Sequence, residues 1–199
     1  NYGGPGKFGF RKQAYLDENS NLISEVNRMK LFKQWSMYWD LNNSILVEKS
    51  PPNIIRTRFL QAMYPNSSFL TITRHPIAVS FATQKWSNNS LDRLIKHWII
   101  CHEAYRRDQE LLKSKFLIKY EDFCSDPKST VDDISMWMDA EIIIPDVVEA
   151  VKNMNGKYFK MWEDYQKGFF TSFMAKNIIK KYEDKLNEFG YSLLSINNS

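Results

Sequence analysis

The stretch that decides the fold is Ser-Phe-Leu-Thr-Ile-Thr-Arg-His-Pro, residues 68–76. Its first six residues are rich in β-branched and aromatic types, which predicts a strand. The strand ends on Arg74-His75-Pro76, and residues 77–86 then predict a helix with Pro76 near its start, where proline is well tolerated. A strand that leads through a short polar loop into a helix is the repeating unit of an α/β protein.

The same pattern occurs once before this stretch and once after it. Residues 45–47 (Ile-Leu-Val) predict a short buried strand, and a polar loop with two prolines separates them from a helix over 54–64 that has Asn53 as its N-cap. A long helix over 91–113 leads to a third strand over 115–120. Successive units of this kind predict a parallel sheet, so the expected fold class is α/β.

Outside these units the chain is predicted to be mainly helical. Residues 1–24 are Gly- and Asn-rich and predict a surface loop. Apolar positions at spacings of three and four predict an amphipathic helix over 25–39. Further helices are expected over 126–138 and from Asp146 to Phe189, with breaks at 155–156 and 167–168.

Composition narrows the classes of protein that are possible. With 199 residues and 43% hydrophobic content the chain fits one globular domain spanning 1–199. Only Cys101 and Cys124 are present, which excludes a disulfide scaffold and a four-cysteine zinc site, and no metal is expected. No apolar run approaches the ~20 residues that would span a bilayer.

Charge and sequons say less about partners and compartment. The net charge of +4 is too weak to demand a nucleic-acid partner, and none is expected, but it agrees with an anionic ligand. The Asn-x-Ser sequons are frequent in a chain rich in both residues and do not establish secretion. The cytoplasm is the preferred compartment, and the Golgi lumen is the alternative.

Polar residues follow each predicted strand, where ligands bind in parallel sheets. Lys49 leaves the first strand beside Glu48, and the two prolines that follow hold its loop, so its ammonium suits a phosphate or sulfate oxygen. Alternatively Lys49 pairs with Glu48 or points to water.

The second strand end carries Arg74, whose planar guanidinium suits a phosphate, at the start of a helix with free N–H groups. Ser80, Thr83 and Lys85 lie on that helix. The alternative is that Arg74 caps a helix or pairs with an acid. At the third strand end Tyr120, beside two acidic residues, flanks a ligand or anchors the next helix, and the anchor is preferred. The histidines and tryptophans are interpreted as packing or capping residues.

These segments together resemble a known family. Residues 46–53 (Leu-Val-Glu-Lys-Ser-Pro-Pro-Asn), 58–62 (Arg-Phe-Leu-Gln-Ala), 74–76 (Arg-His-Pro) and 120–123 (Tyr-Glu-Asp-Phe) are similar to the sulfotransferases that use 3′-phosphoadenosine 5′-phosphosulfate (PAPS). The likeness is to the bacterial, algal and plant group related to tyrosylprotein sulfotransferases. It implies a P-loop-like, three-layer fold with a mainly parallel central sheet and flanking helices. It also implies sulfuryl transfer from PAPS to a hydroxyl or amine of a carbohydrate, a peptide tyrosine or a small molecule.

The resemblance also implies roles for individual residues. Lys49 would contact the sulfate or bridging oxygens, and Arg74 would bind the 3′-phosphate. The serine that the family commonly places eight residues later is Ala82 here, so Ser80 or Thr83 is the candidate substitute. Lys85 would add charge and Tyr120 would touch the nucleotide. A loop over residues 155–158, which contains Lys157, would close over the co-substrate.

One family segment does not occur in the sequence. The 5′-phosphosulfate loop, of the type Pro-Arg/Lys-Ser-Gly-Thr-Thr after a first strand, is absent, and the Gly-Gly-Pro-Gly-Lys run at 3–7 does not match a phosphate loop. We therefore expect a sulfotransferase-like domain without that strand and loop. Glu48 is the candidate general base, with Glu25 as an alternative. A non-catalytic nucleotide-binding or interaction module is the alternative function, and a small-molecule kinase would need Mg²⁺ ligands that are not apparent.

Overall fold

The computed structural model describes residues 4–142 and 152–196. Its sheet consists of two parallel strands, β1 (Phe69–Thr73) and β2 (Lys115–Lys119), with Phe69 opposite Lys115 and Thr73 opposite Lys119. Both strands were predicted, and their parallel pairing confirms the α/β class. The helical crossover between them is what parallel strands require.

The predicted strand at residues 45–47 is wrong. Ile45 is 40% exposed and Val47 is 71% exposed, and these residues join no ladder in the described part of the chain. A strand needs a neighbour for its backbone hydrogen bonds, whereas the only strand that pairs with β1 there is β2. The segment is separated from β1 by a cavity, which Leu46 and Leu70 line together.

Eight α-helices are found within the described ranges, and four of them begin at a residue whose side chain caps the first turn. Pro76 occupies the first turn of its helix, Ser24 caps another through the backbone N–H of Asn27, and Asp126 caps a third through that of Ser129. The helices are α1 (Glu25–Ser36), α2 (Thr57–Met63), α3 (Pro76–Ser87), α4 (Leu91–Asp108), α5 (Tyr120–Ser125), α6 (Pro127–Met138), α7 (Asn155–Lys167) and α8 (Thr171–Asn187).

Most of the predicted helices are present, with shifted ends. The long helix ends five residues early, at Asp108, and the predicted start at Asn53 is wrong because residues 51–55 form a tight 3-10 helix. Arg56, with a φ of −140°, lies outside the helical region and ends that 3-10 helix, so α2 begins only at Thr57. Residues 1–24 contain two further 3-10 helices, Phe8–Phe10 and Lys12–Ala14. The part of the predicted C-terminal helix at 146–151 lies outside the described residues.

Helix α1 does not bury the apolar face that its spacing predicts. None of its residues is buried, and Val26 and Met29 are 75% and 63% exposed. Its apolar residues are spread around the helix, because Val26, Leu31 and Trp35 do not share one face. Trp35 and Tyr64 both line the cavity, and their rings lie tilted against each other with centroids 5.6 Å apart.

The main core lies between α3, α4, α7 and α8. Trp162 is fully buried there and donates its indole N–H to the backbone oxygen of Leu193 at 3.0 Å. Trp98 is also buried and donates to the backbone oxygen of Arg74 at 3.1 Å, which ties α4 to the end of β1. These two tryptophans confirm the packing interpretation, whereas Trp86 is 80% exposed and contradicts it.

Candidate anion-binding site

A cavity of about 1640 Å³ lies against β1 and extends past its carboxyl end. Helices α1 to α4 and the loop over residues 46–54 form its other walls, and most of the lining is apolar. Four buried polar atoms of its lining residues have no hydrogen-bond partner within the described structure: Arg74 Nη2, Ser80 Oγ, Thr57 Oγ1 and Ser67 Oγ. Buried polar groups are nearly always paired in folded proteins, so these four atoms are available to a polar ligand or to water.

Arg74 is held from two sides at the end of β1. Its Nε donates a hydrogen bond of 2.7 Å to Oδ1 of Asn155, at the start of α7. Its guanidinium carbon lies 4.2 Å from the ring centroid of Tyr120, a cation–π arrangement. These contacts fix the plane of the guanidinium while its Nη2 remains unpartnered. A preorganised planar cation of this kind suits a phosphate or sulfate.

A buried carboxylate, Glu121, organises the residues behind Arg74. Its Oε1 accepts from Asn155 Nδ2 at 2.6 Å and from the backbone N–H of His75 at 2.9 Å. Its Oε2 accepts from the hydroxyl of Tyr191 at 3.2 Å. Asn155 therefore bridges the two charged groups: its amide nitrogen donates to the Glu121 carboxylate, and its amide oxygen accepts from the Arg74 guanidinium. The Glu121 network fixes the orientation of that amide.

At the start of α3, fewer backbone N–H groups are available to a ligand than the sequence predicts. His75 acts as the N-cap, and its Nδ1 accepts from the backbone N–H of Ile77 at 3.2 Å. The backbone N–H of His75 itself points to Glu121. Two of the N–H groups expected to serve an anion are thus satisfied within the protein, one by the Glu121 carboxylate and one by the His75 imidazole. The charge available to a ligand comes mainly from Arg74.

Helix α3 supplies two of the hydroxyl groups that line the cavity. Ser80 is 1% exposed and Thr83 is half-buried, and both line the cavity. Ala82, at the position where the resemblance leads one to expect a serine, packs instead against the main core. Gly6 lines the cavity beside this helix at a φ of +67°, a left-handed backbone conformation that favours glycine.

Lys49 and Glu48 both line the cavity, on the loop that faces β1. Their side chains do not pair: the Glu48 carboxylate accepts from Asn53 Nδ2, and the ammonium of Lys49 has no ion pair within the described residues. The predicted alternative of a Glu48–Lys49 pair is therefore wrong. Glu25, the other candidate base, pairs with Arg28 and does not line the cavity.

Three of the predicted site residues do not line the cavity. Lys85 is exposed near the end of α3, and Lys157 is exposed in the first turn of α7 with its Nζ 4.8 Å from the Tyr158 ring centroid. Tyr120 contacts Arg74 and is anchored through its hydroxyl, which accepts from the backbone N–H of Met154 at 3.1 Å. Burial raises the pKa of Tyr120, so this hydroxyl remains protonated at neutral pH.

The histidines serve packing and capping, as predicted. Burial lowers the pKa of His75, of His97 and of His102 to about 4, so all three are neutral at pH 7. His97 Nε2 accepts from the backbone N–H of Gly9 at 3.1 Å, and His102 stacks on Trp98 with ring centroids 3.6 Å apart. In residues 4–142 and 152–196, no three His, Cys, Asp or Glu side chains are grouped closely enough to hold a metal ion. No helix in those ranges is both long and apolar enough to cross a membrane.

The roles of Asn155 and Glu121 beside Arg74 were not predicted. Glu121 carried a signal, because it follows the third predicted strand, where site residues gather. Asn155 belongs to the loop expected over residues 155–158, and that loop is wrong because these residues form the first turn of α7. The contact of Asn155 with Arg74 spans 81 residues of the chain and left no local signal.

The fold and the site define an α/β protein with a cationic pocket at the carboxyl end of a parallel strand. The sequence model of the sulfotransferase family matches residues 11–143, about two thirds of the chain, and the protein belongs to that family. Membership supports sulfuryl transfer as its general activity. No curated protein and no solved structure matches the chain.

Proposed function

We propose that this protein transfers a sulfuryl group from PAPS to a hydroxyl of an acceptor. The observation that carries the proposal is the state of Arg74: a guanidinium fixed by Asn155 and Tyr120 whose Nη2 is buried and unpartnered. An anion that is retained through the whole reaction, such as the 3′-phosphate of PAPS, satisfies that nitrogen. The hydroxyl of Ser80 is likewise buried and unpartnered, and Thr83 lines the same cavity.

The other predicted residues act in this proposal by direct contact, through Arg74 or through long-range charge. Lys49, whose ammonium has no ion pair among the described residues, binds the sulfate and bridging oxygens. Tyr120 acts on the nucleotide through Arg74 rather than by direct contact. Lys85 and Lys157, both exposed, add positive potential around the entrance, and this contribution is screened by salt.

The transfer step conserves atoms and charge without an oxidant or a metal. The acceptor oxygen forms a bond to sulfur while the bond from sulfur to the 5′-phosphate oxygen breaks. The departing 3′-phosphoadenosine 5′-phosphate (PAP) keeps the electron pair, and Lys49 stabilises the charge that develops on it. The acceptor proton passes to Glu48, which lines the cavity and is half-buried.

The proposal treats residues 1–199 as one sulfotransferase domain of the P-loop-like, three-layer type. The parallel β1–β2 pair with α3 and α4 in its crossover supports this topology. The acceptor is a hydroxyl compound, with carbohydrate, peptide tyrosine and small-molecule alcohols as the classes to test. If the protein has no transfer activity, its function is that of a nucleotide-binding module that uses the same pocket.

The test is the thermal stability of the protein with PAP. We expect PAP to raise the Tm, because a ligand that binds only the folded state stabilises it. Arg74→Ala removes most of the shift, whereas Lys128→Ala, an exposed lysine on α6, leaves it unchanged. ATP, which lacks the 3′-phosphate, gives a smaller shift. Absence of a PAP shift contradicts the assignment. A PAP shift without transfer of labelled sulfate leaves the binding module as the function.

A further inference from the structure

Four large apolar side chains are exposed together at the turn from α7 to α8. Phe169, Phe170 and Phe173 are 89%, 78% and 70% exposed, and Met174 is 53% exposed. The rings of Phe169 and Phe170 contact each other edge to face, with centroids 4.9 Å apart. We call these four residues the aromatic tip. A contiguous apolar surface of this kind marks an interaction site, because single exposed apolar residues are ordinary but clusters are not.

The rest of the α7–α8 hairpin is firmly packed, so the exposure of the tip does not reflect a loose element. Trp162 of α7 and Ile178 of α8 are 0% and 3% exposed within the main core. Ala175, the neighbour of Met174, is 1% exposed. The hairpin therefore presents the aromatic tip from a rigid base.

The charged residues nearest the aromatic tip in the sequence are cations, and the nearest acid along the chain, Asp164, pairs with Lys160. Residues 165–182 contain four lysines and no aspartate or glutamate. Lys181 pairs with Asp92 at 2.9 Å, whereas Lys167, Lys176 and Lys180 are exposed and have no ion pair within the described structure. Three cations thus remain free to bind anions of a partner.

Two lysines of α8 follow the aromatic tip at helical spacing. Phe173, Lys176 and Lys180 are spaced at i, i+3 and i+7, so they share one face of the helix. At 1.5 Å of rise per residue, the two lysines follow Phe173 by about 4.5 and about 10 Å along the axis. Interfacial helices bury their apolar side chains roughly 5–10 Å into the boundary between headgroups and acyl chains. When α8 stands along the bilayer normal and the rings enter that boundary, the two ammonium groups lie near the level of the lipid phosphates.

We propose that the aromatic tip is a docking site for an anionic lipid bilayer, with the three phenylalanines in the interface and Lys167, Lys176 and Lys180 on headgroup phosphates. A bilayer fits better than a second copy of this chain. A two-fold contact through the tip would bring the same lysines together from both subunits, and like charges repel. The proposal is independent of sulfuryl transfer.

The test is co-sedimentation of the protein with vesicles of equal parts phosphatidylcholine and phosphatidylserine. We expect binding that weakens as salt is added, and weaker binding to pure phosphatidylcholine. The triple variant Phe169→Ser, Phe170→Ser, Phe173→Ser lowers the partition coefficient about tenfold or more, because the apolar contact is lost. Tyr38→Ser, which changes an 86% exposed aromatic residue after α1, is the matched control and leaves binding intact.

Two results overturn the proposal. One is vesicle binding that the triple variant leaves unchanged although its Tm equals that of the unmodified protein. The other is absence of vesicle binding together with a dimer in solution that the triple variant converts to a monomer, which assigns the aromatic tip to self-association. Lys176→Glu with Lys180→Glu gives an independent check, since charge reversal removes binding to phosphatidylserine while the phenylalanines are kept.

Discussion

Arg74 Nε donates a hydrogen bond of 2.7 Å to Oδ1 of Asn155, although 81 residues separate them in the chain. Asn155 is fully buried, and its amide nitrogen is fixed by Glu121 at 2.6 Å. The guanidinium is therefore oriented by an amide that cannot turn. This relationship makes Asn155 a positioning residue for the anion that Arg74 binds in the proposed function.

For Asn155→Ala we expect weaker PAP binding and a less stable protein. The substitution removes one hydrogen bond to a cation and one to a buried carboxylate, which together contribute about 3–6 kcal/mol to the free energy of unfolding. In a double-mutant cycle on PAP affinity, Arg74→Ala and Asn155→Ala show a coupling of about 1–2 kcal/mol, because one acts through the other. The measurement is calorimetric titration with PAP below the Tm of each variant.

The control is Asn177→Ala, which changes an exposed asparagine on α8. Unaltered PAP affinity in Asn155→Ala would limit this residue to a structural role.

Ser80→Ala is expected to weaken PAP binding without destabilising the protein, unlike Asn155→Ala. The Oγ of Ser80 is buried without a partner, so its removal leaves the free energy of unfolding unchanged or raises it by about 1 kcal/mol. The PAP-induced rise in Tm falls, because the ligand loses a hydrogen-bond partner. Ser87 provides a matched control on the same helix: its Oγ is also buried and unpartnered, but it does not line the cavity. An equal loss of PAP shift in Ser80→Ala and Ser87→Ala would contradict the assignment.

Lys49→Met tests the proposed stabilisation of the leaving group. Lys49 is exposed and forms no ion pair with the described residues, so its replacement leaves the Tm nearly unchanged. We expect kcat for sulfuryl transfer to fall about 10²–10³-fold, the range seen when a group that stabilises developing charge is removed. PAP lacks the sulfate but keeps the 5′-phosphate oxygen on which Lys49 acts, so the PAP-induced shift falls less than in Arg74→Ala. A kcat equal to that of the unmodified enzyme would assign another residue to this role.

Glu48→Gln tests the general base. The amide of glutamine retains an acceptor for Asn53 Nδ2 and keeps the shape of the loop, but it cannot take up a proton. We expect a loss of kcat of roughly 10²–10⁴-fold and an acidic limb of the pH–rate profile that disappears. PAP affinity serves as the control and stays the same. If the acidic limb persists in Glu48→Gln, the base lies elsewhere.

The buried histidines make stability fall in mild acid. Burial lowers the pKa of His75, His97 and His102 to about 4, while each regains its ordinary value near 6.5 on unfolding. Between these values the unfolded chain binds more protons than the folded one, so the free energy of unfolding decreases as the pH falls from about 6.5 to about 4. Each histidine accounts for up to about 3 kcal/mol of this decrease.

The measurement is Tm against pH for the unmodified protein and for His75→Asn. Asparagine is a good N-cap and does not titrate, so the variant keeps an acceptor for Ile77 N–H. We expect its Tm to depend less steeply on pH between 6.5 and 4, even where the Tm itself is lower from lost packing against Phe159 and Tyr191. Parallel curves for the two proteins would show that His75 does not contribute.

Local signals were sufficient where a segment's own residues determine its structure. The β-branched run over 69–73 forms β1, Pro76 starts α3, and Asp126 with Pro127 starts α6, because propensity and capping act within a few residues. They failed at residues 45–47, which resemble a strand in composition but have no strand beside them in the described structure. They also failed for the buried face expected of α1, because periodicity does not say what a helix packs against.

The sequence by itself determined the α/β class, the parallel pair β1–β2, the positions of Lys49 and Arg74 at the ends of predicted segments, and the membership in the sulfotransferase family. Only the tertiary structure decided that Glu121 closes the start of α3, that Asn155 orients Arg74, and that Ser80 and not Ala82 faces the cavity. The physical reason is distance along the chain. Strands and helices arise from neighbouring residues, whereas the orientation of a guanidinium depends on hydrogen bonds from segments that only folding brings together.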